Sequence, residues 1–237
     1  MKIKTFLLAF LLVVFSAGSL FAGSPELDRR VWEANKVLQE VQAMPDISIP
    51  EELLAKCKAI AIYPSVLKGG FIFGARFGKG VVLRRDEKTS KWGPVAFSTI
   101  GGGSWGLQIG GQATDLILVV LSERGLDGLL ASNVTLGADA AVSAGPVGRT
   151  SGVSTDLTMR AGILSYSRSR GLFGGIALEG AVLTEDNNSN TSYYGKPMTS
   201  RGILLDNAVE IQPSSRELTN TLNELSGLWW KRVGKQK

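Results

Sequence analysis

Apolar residues recur at helical spacing in the first part of the chain. From Leu27 to Val41 they return at steps of three and four, after a Ser24-Pro25 start that is typical of a helix N-terminus. The pattern predicts an amphipathic helix that ends before Pro45, and a second, short helix after Pro50. Acidic and basic side chains are balanced on the polar face of the first helix, which favours packing against the rest of the protein over direct insertion into a membrane.

The middle of the chain is rich in glycine and β-branched residues, which favours strands over helices. The segment from Phe97 to Leu121 holds six glycines, among them Gly102, and it ends in an aliphatic run from Leu116 to Leu121. A run of this length suits a buried strand better than a helix, and glycines inside strands mark bends or close approach of other segments. We therefore expect a sharply curved sheet, with a positive φ angle at Gly102.

Alternation of inward-facing and outward-facing residues predicts two further strands in the second half of the chain. One covers Thr135–Ala144 and the other covers Ile176–Val182. The polar run Asp186–Asn190, which follows the second strand, is interpreted as a hairpin turn.

Only one helix is expected between the strands, over residues 123–132, and a last helix begins at Ser214 or Ser215. The predicted fold class is α+β. It consists of a strongly curved antiparallel β-sheet, either open or closed like a barrel, with helices at the N- and C-terminal ends.

Residues 1–22 have the pattern of an export signal. Two lysines precede an apolar run from Phe6 to Phe15, and small residues follow, so that cleavage is expected after Ser19 or Ala22. The apolar run is short for a transmembrane helix and no second one occurs, so we expect an exported protein that is not integral to a membrane.

The remaining residues, about 215, suffice for one large domain. We divide them into an N-terminal amphipathic helix at 23–48, a core domain at 49–198, and a C-terminal helical segment with a basic tail at 199–237.

The absence of histidine restricts the chemistry of this protein. It excludes Ser-His-Asp and Cys-His catalysis and the usual zinc and haem ligand sets. A glycine pattern at Gly101, Gly103 and Gly106 matches the dinucleotide-binding spacing, but a strand follows where a helix is required.

Carboxylate catalysis remains open in principle, but nothing in the sequence brings two acids to a working separation. The acids beside apolar runs are Asp115, Asp139, Asp156 and Glu179. We therefore expect no enzymatic activity, no cofactor and no metal.

Several glycine-rich segments between Glu51 and Pro197 resemble, in order, those of a known domain. They are YPSVLKGGFIFGARFGKG, GGGSWGLQIGGQATDLILVVLSERGLDGLL, LGADAAVSAGPVGR, SYSRSRGLFGGIALEGAVL and YYGKP. This is a specific resemblance to the SYLF domain family, whose members include eukaryotic SH3- and FYVE-containing adaptors and stand-alone exported bacterial proteins. The resemblance implies binding to membrane phospholipids and no established enzymatic activity. The adaptors touch actin through flanking SH3 or FYVE regions that this sequence lacks, so we do not expect actin binding.

Two clusters of cations are candidates for contacts with lipid head groups. The first follows a glycine-rich hairpin and comprises Lys68, Arg76, Lys79, Arg84, Arg85, Lys88 and Lys91. The second comprises Arg149, Arg160, Arg168 and Arg170. Each cluster could equally be structural, because cations protect exposed strand edges and arginine bonds to backbone and carboxylate oxygens. An anionic membrane supplies about 1 kcal/mol per cation.

The C-terminal residues Trp230, Lys231 and Arg232 form a third candidate. Two tryptophans precede four cations with no acid between them, and tryptophan favours the membrane interface while the cations reach lipid phosphates. Trp230 fits the leucine stripe of the last helix less well than Trp229, so we expect Trp230 to contact lipid and Trp229 to continue the core.

Taken together, the sequence predicts non-catalytic binding of anionic phospholipids at a membrane surface in the bacterial cell envelope, by a periplasmic and peripherally attached protein. Removal of Lys2 and Lys4 with the signal lowers the formal charge from +5 to +3, a mild excess that suits an anionic partner. The alternative is a periplasmic scaffold whose basic hairpin binds another protein. Nucleic acid is not expected as a partner. We also expect that reversing the charges of Arg84 and Arg85 weakens vesicle binding and leaves stability nearly unchanged.

Overall fold

The structure is a computed structural model that describes residues 24–44, 48–70, 73–105, 112–148, 162–169, 172–206 and 208–234. The predicted export signal lies outside these ranges. So do Asp156 and three members of the second cation cluster, which are Arg149, Arg160 and Arg170.

The described helices are α1 (Pro25–Gln42), α2 (Glu51–Lys56), α3 (Glu123–Leu129), α4 (Asn187–Tyr194), α5 (Ser200–Leu204) and α6 (Arg216–Gly234), the last preceded by a 3-10 turn at Pro213–Ser215. The first two confirm the predictions from apolar spacing. The backbone N–H at the first position of a helix has no partner within the helix. Proline has no N–H, so Pro25 is well suited to the first position of α1.

The described strands are β1 (Ala59–Gly70), β2 (Phe73–Arg85), β3 (Trp92–Trp105), β4 (Gln112–Val120), β5 (Asn133–Thr135), β6 (Val142–Ala144), β7 (Ile163–Ser169), β8 (Leu172–Gly175) and β9 (Val182–Glu185). They form one sheet in the order β5-β9-β3-β2-β1-β4-β7-β6, and β8 also pairs with β7. All of these pairings are antiparallel except the one between β6 and β7. The sheet is strongly curled into a half-barrel with helices at both ends, which confirms the predicted fold class.

The core lies on both sides of the central strands. In β1 and β4, residues 59–63 and 116–120 are buried without interruption, as the aliphatic run predicted. α1 packs on β1 and β2 and against α6, with Leu27, Val31 and Leu38 in the same apolar cluster as the sheet. The N-terminal helix is therefore part of the folded core.

Three predictions for the second half of the chain are wrong; a side-chain acceptor explains two of the differences and a glycine turn explains the third. Residues 135–144 are not one strand, because Asp139 accepts the Thr135 N–H at 2.8 Å and closes a turn, with a positive φ of 90° at Gly137. The predicted strand over 176–182 does not form, because residues 176–181 lie between β8 and β9 and include a turn at Gly180, whose φ is 76°.

The Asp186–Asn190 segment begins α4 instead of forming a hairpin turn. Asp186 is the N-cap of this helix and accepts the Ser189 N–H at 3.1 Å. α4 and α5, which the sequence did not predict, follow β9, the last of the described strands along the chain.

Two β-hairpins, β1–β2 and β7–β8, open toward the same end of the sheet. β3 also ends there and β4 begins there, but these two strands are not neighbours, because β2 and β1 lie between them. A hydrogen bond of 2.6 Å from Gln112 Nε2 of β4 to Ser169 Oγ of β7 lies at this end. We call this end of the sheet the hairpin end. The opposite end, with the β2–β3 turn at residues 86–91 and with α2, is called the base.

Candidate functional site

Large apolar side chains are exposed at the hairpin end. Leu67 on β1 and Phe77 on β2 are direct cross-strand partners, and they are 62% and 54% exposed. Leu172, at the start of β8 in the β7–β8 hairpin, is 78% exposed. Together with Trp32 and Trp230, these are the exposed large hydrophobic residues of the described chain, and three of the five lie at this end.

The other face of the same ribbon is cationic. Lys68 and Arg76 are also direct cross-strand partners, and because successive side chains alternate between faces, they point away from Leu67 and Phe77. Both cations are half-buried. Arg76 Nε is buried without a hydrogen-bond partner, and burial alone lowers the pKa of this guanidinium. The hairpin end therefore combines an apolar and a cationic face on one pair of strands.

A groove of about 210 Å³ lies between this ribbon and the start of α1. Leu67 and Phe77 form its apolar wall, and Arg29, Lys79, Glu26 and Glu33 form its polar rim. Lys79 pairs with Glu26 at 3.5 Å, which fixes the helix start beside the ribbon.

Ser65 also lines the groove and holds a φ of 54°, an uncommon value for a residue other than glycine. It lies where the register of β1 shifts against both neighbouring strands. Asp115 Oδ1 accepts the Ser65 N–H at 2.9 Å and holds this bulge in place.

The first predicted cation cluster does not form a single surface. Nine residues of extended chain separate Arg76 from Arg85, about 30 Å along β2, so that these two residues lie near opposite ends of the sheet. Arg84 donates to the Leu204 carbonyl at 3.4 Å. Arg85 donates to the Ser90 carbonyl at 3.0 Å and to the Ala55 carbonyl of α2. The structure thus gives Arg85 a structural role at the base.

Arg168, from the second predicted cluster, is held by two carboxylates. Its Nη2 lies 2.6 Å from Asp115 Oδ2, and its Nη1 donates to Glu40 of α1. Burial alone would lower the pKa of Arg168, but the hydrogen bonds that its guanidinium donates to these two acids outweigh that effect and raise the pKa. The arginine therefore ties β7 to β4 and α1. Arg170 of the same cluster lies outside the described residues.

The predicted tail residues lie on α6, away from the hairpin end. Ser226 Oγ of this helix accepts the Nε1–H of Trp92, which begins β3 at the base, at 3.0 Å. Trp230 follows one turn later, about 6 Å along the axis, and is 51% exposed. Lys231 is exposed as well. Arg232 belongs to the helix, but its side chain and that of Trp229 lie outside what the structure describes.

A second cavity, of about 560 Å³, opens at the base between the β2–β3 turn and α6. Two acids, Asp86 and Glu210, and two cations, Lys91 and Arg216, line it together with Trp92. This balance of charge gives no preference for an anionic ligand.

Two of the candidate catalytic acids accept hydrogen bonds that hold the fold together. Asp115 accepts from Ser65 and Arg168, and Asp139 closes the turn at Thr135. Glu179 is exposed. Within the described ranges, no group of three acidic or cysteine side chains is placed to hold a metal ion.

Cys57 is buried, and its thiol donates to the Leu54 carbonyl at 3.3 Å. Burial raises the pKa of this thiol to about 12. None of the described helices is long and apolar enough to cross a membrane.

Sequence reasoning missed Leu67 and Leu172 as site residues. Leu67 follows Val66 and Leu172 precedes Phe173, so neither stands out in the sequence, and the exposure of each depends on which strand ends meet at one end of the sheet. Assignment of the β1–β2 and β7–β8 hairpins to one antiparallel sheet, with β4 between them, would have been the signal, because it places both turns at the same end.

A family model described as "Ysc84: Las17-binding protein actin regulator" matches residues 101–225, more than half of the chain. The chain belongs to the Ysc84 family. This is the family of the SYLF domain, so the resemblance seen in the sequence is confirmed. The match covers β4 through most of α6 and includes the strands that carry Leu172 and Arg168.

Curated relatives of the Ysc84 family match a longer stretch. SH3 domain-containing YSC84-like protein 1 of Rattus norvegicus is 34% identical over 193 residues, which cover 78% of this chain and 55% of the relative. The Homo sapiens protein of the same name is 34% identical over 180 residues, 73% of this chain and 52% of the relative. Protein YSC84 of Saccharomyces cerevisiae is 32% identical over 180 residues, 75% of this chain and 38% of that protein.

The chain thus spans about half the length, or less, of the curated relatives it matches. The family description is that of a binding and regulatory protein, and none of these three names is that of an enzyme.

Proposed function

We propose that this protein binds anionic phospholipids without catalysis, as a peripheral protein on a membrane of the bacterial cell envelope. The observation that carries the proposal is the hairpin end, where exposed Leu67, Phe77 and Leu172 lie near Lys68 and Arg76, two cations that no carboxylate neutralises among the described residues. Apolar side chains gain free energy on entering the acyl region, and cations gain it at the phosphate layer.

The expected strength is that of weak, reversible attachment. Each exposed apolar side chain contributes about 1 to 2 kcal/mol, since part of it is already buried in the protein. Lys68 and Arg76 add about 1 kcal/mol each at an anionic surface. Neither contribution suffices alone, so binding should require both anionic lipid and the apolar residues.

Co-sedimentation with vesicles tests the proposal. Residues 23–237 are mixed with phosphatidylcholine vesicles, with and without phosphatidylglycerol, at low and at physiological salt. We expect binding only to the anionic vesicles. Phe77→Ser and Leu172→Ser should each weaken it several-fold while the melting temperature stays close to that of the parent.

Trp32→Ser is the matched control. Trp32 has the same exposed fraction as Phe77, 54%, but lies on α1 and does not line the groove beside the ribbon. Its replacement should leave vesicle binding unchanged. If Trp32→Ser weakens binding and the two hairpin-end variants do not, the hairpin end is not the contact surface.

A protein partner is the second candidate, because the family description names Las17 binding and actin regulation. On this alternative the hairpin end binds another polypeptide and lipid is incidental. It predicts that the parent protein does not sediment with any of the vesicles above.

Export to the periplasm is part of the proposal and rests on the sequence of residues 1–22. N-terminal sequencing of the protein from the periplasmic fraction of expressing cells should give a chain that starts at Leu20 or Gly23. A chain that keeps Met1 and stays in the cytoplasm would contradict export.

A further inference from the structure

The cavity of about 560 Å³ at the base, here called the base cavity, is bounded by two stretches of backbone and one helix. Gly93 and Pro94 line it at the start of β3, and the irregular segment 209–211 lines it between α5 and α6. Thr219 and Asn220 contribute from α6. Ligand sites in proteins commonly have volumes of about 300 to 1,000 Å³, so the base cavity is large enough for a ligand.

The edge of β3 beside the base cavity is only partly covered. β9 pairs with β3 over Ser98–Gly101 and leaves the earlier residues of β3 without a strand on that side. Asn223 accepts the Trp92 N–H at 3.0 Å. The Tyr194 hydroxyl donates to the Val95 carbonyl at 2.6 Å. Among the described residues, no side chain or loop bonds to the backbone of the two residues between Trp92 and Val95, and both of these line the base cavity.

The segment 209–211 also has free backbone groups. None of its N–H groups and none of its carbonyls has a hydrogen-bond partner in the part of the chain that the structure describes. Its side chains alternate, since Val209 and Ile211 are half-buried and Glu210 is exposed. Free main-chain groups and alternating side chains are the features to which an extended peptide adds as a further strand.

Charges of both signs surround the base cavity. Lys91, Arg216 and Glu210 are exposed, and none of them forms an ion pair with another described residue. Asp86 adds a second acid, although three hydrogen bonds within the β2–β3 turn occupy one of its oxygens. A rim of this kind complements a ligand that also carries both signs, such as a polypeptide, better than a phosphate or another anion.

We propose that the base cavity binds an extended segment of another polypeptide, in which an apolar residue is flanked by residues of opposite charge. The apolar side chain packs on Pro94, Val209 and Ile211, and the peptide backbone bonds to the free groups of the segment across the cavity. The basic flank pairs with Glu210 and the acidic flank with Arg216. This inference is independent of the proposed function, because the base cavity and the hairpin end lie at opposite ends of the sheet.

Selection from a library tests the proposal. The probe is a phage-displayed library of random short peptides, selected on residues 23–237. We expect enrichment of peptides that carry an apolar residue between an acid and a base. Fluorescence anisotropy then measures the affinity of a synthetic copy of an enriched peptide. No enrichment over selection on an unrelated folded protein would overturn the proposal.

Three variants locate the binding site. Asn220→Phe places a large side chain at an exposed position of the cavity lining and should abolish binding, with a melting temperature close to that of the parent. Glu210→Lys should weaken binding several-fold. Glu224→Lys is its matched control, since it makes the same charge change at an exposed acid of α6 that does not line the cavity, and it should bind as the parent does. Equal effects of the two lysine variants, or full binding by Asn220→Phe, would overturn the proposal.

Hydrogen exchange tests the main-chain contact. The amides of segment 209–211 lack partners, so they should exchange rapidly in the free protein and slow down when the enriched peptide is bound. Protection at the hairpin end, with none at 209–211, would place the peptide there and contradict the assignment to the base cavity.

Two other occupants would give different results. A second copy of this chain would produce a concentration-dependent dimer in analytical ultracentrifugation that Asn220→Phe abolishes. A small zwitterion would be indicated if free leucine, glutamate or arginine raised the melting temperature of the parent and not that of Asn220→Phe. Either result would overturn the assignment to a segment of another polypeptide.

Discussion

At the scale of single residues, Gly102 is a sheet position that combines a positive φ angle with close neighbours to an added side chain. Its φ is 145°, as the sequence led us to expect, and an added Cβ would lie 3.0 Å from the Gly180 carbonyl oxygen and 3.2 Å from the Ala181 Cα. Gly102→Val should therefore lower the free energy of unfolding. The strained backbone accounts for about 1 to 3 kcal/mol, and the close contacts of the new side chain with Gly180 and Ala181 add to this loss. Urea denaturation measures this change.

The adjacent Gly103 supplies the control. An added Cβ there meets nothing within 4 Å, and its φ lies outside the positive range that favours glycine. Gly103→Ala should leave stability within about 0.5 kcal/mol of the parent. Equal losses at the two positions would show that chain flexibility, and not the geometry at Gly102, sets the requirement.

For Arg85 the hydrogen bonds favour a structural role beside the predicted lipid contact. Its guanidinium donates to the Ala55 carbonyl of α2 and to the Ser90 carbonyl. Arg85→Gln should lower the free energy of unfolding by about 1 to 3 kcal/mol, because carbonyls of a part-buried site lose their donor. Thermal melting measures the loss, and vesicle binding of the folded fraction should not change. Weaker binding with unchanged melting would restore Arg85 as a membrane contact.

Sequence alone could not separate the structural cations from the free ones. Arg76 lies among glycines and phenylalanines, Arg85 lies between an aliphatic run and charged residues, and Arg168 lies in a run of serines and arginines; none of these contexts shows whether the cation has a partner. What distinguishes them is the presence of an oxygen from a distant segment, such as Glu40 or Ala55. Such long-range partners depend on the packing of helices on the sheet, which local patterns do not encode.

At the scale of elements, α1 is a core helix. Leu38 is fully buried between this helix and the sheet, and Asn35 Nδ2 donates to Glu217 of α6 at 2.9 Å. Leu38→Ala should lower the free energy of unfolding by about 2 to 5 kcal/mol through lost burial and the cavity it leaves. Urea denaturation checks the value. A loss of vesicle binding by a variant that is still fully folded would point instead to a membrane role for α1.

The elements that sequence patterns predicted well are those whose apolar spacing agrees with their capping. α1, α2 and β4 are of this kind, and they account for much of the core. The errors lie at 135–144 and 186–190, where a side-chain acceptor, Asp139 or Asp186, pairs with a backbone N–H and overrides the alternation. The groove and the cation pair could not be predicted from the sequence, because they depend on the register between β1 and β2.

The tail on α6 stays a separate prediction. Trp230, Lys231 and Arg232 lie beyond the turn of α6 that contacts Trp92 at the base. The sequence predicts that Trp230→Ala weakens vesicle binding. If the protein attaches by the hairpin end, Trp230→Ala should not change binding, and replacement of the tail cations should have only a general effect of charge. Co-sedimentation of Trp230→Ala beside Phe77→Ser decides between them.

At the scale of the whole molecule, the two ends of the sheet differ in character. Apolar side chains and a cation pair without an acidic partner among the described residues lie at the hairpin end, whereas acids and cations balance at the base. Attachment through the hairpin end should weaken as salt shortens the screening length from about 10 Å at 0.1 M toward 3 Å at 1 M, and should approach the level seen with neutral vesicles, because the apolar contacts do not suffice alone. Sedimentation across this range measures the dependence. Binding that is unchanged at 1 M salt would show that the cations contribute nothing.

The most direct test of the account is to ask which end of the molecule enters the bilayer. An environment-sensitive fluorophore is attached to single cysteines at Phe77→Cys, Leu172→Cys, Lys88→Cys and Lys231→Cys. The native Cys57 should remain unlabelled, because it is buried and its pKa is raised to about 12. On addition of anionic vesicles, the account predicts a blue shift and protection from aqueous quenchers at positions 77 and 172, and no change at positions 88 and 231. A shift at 88 or 231 with none at 77 and 172 would contradict it.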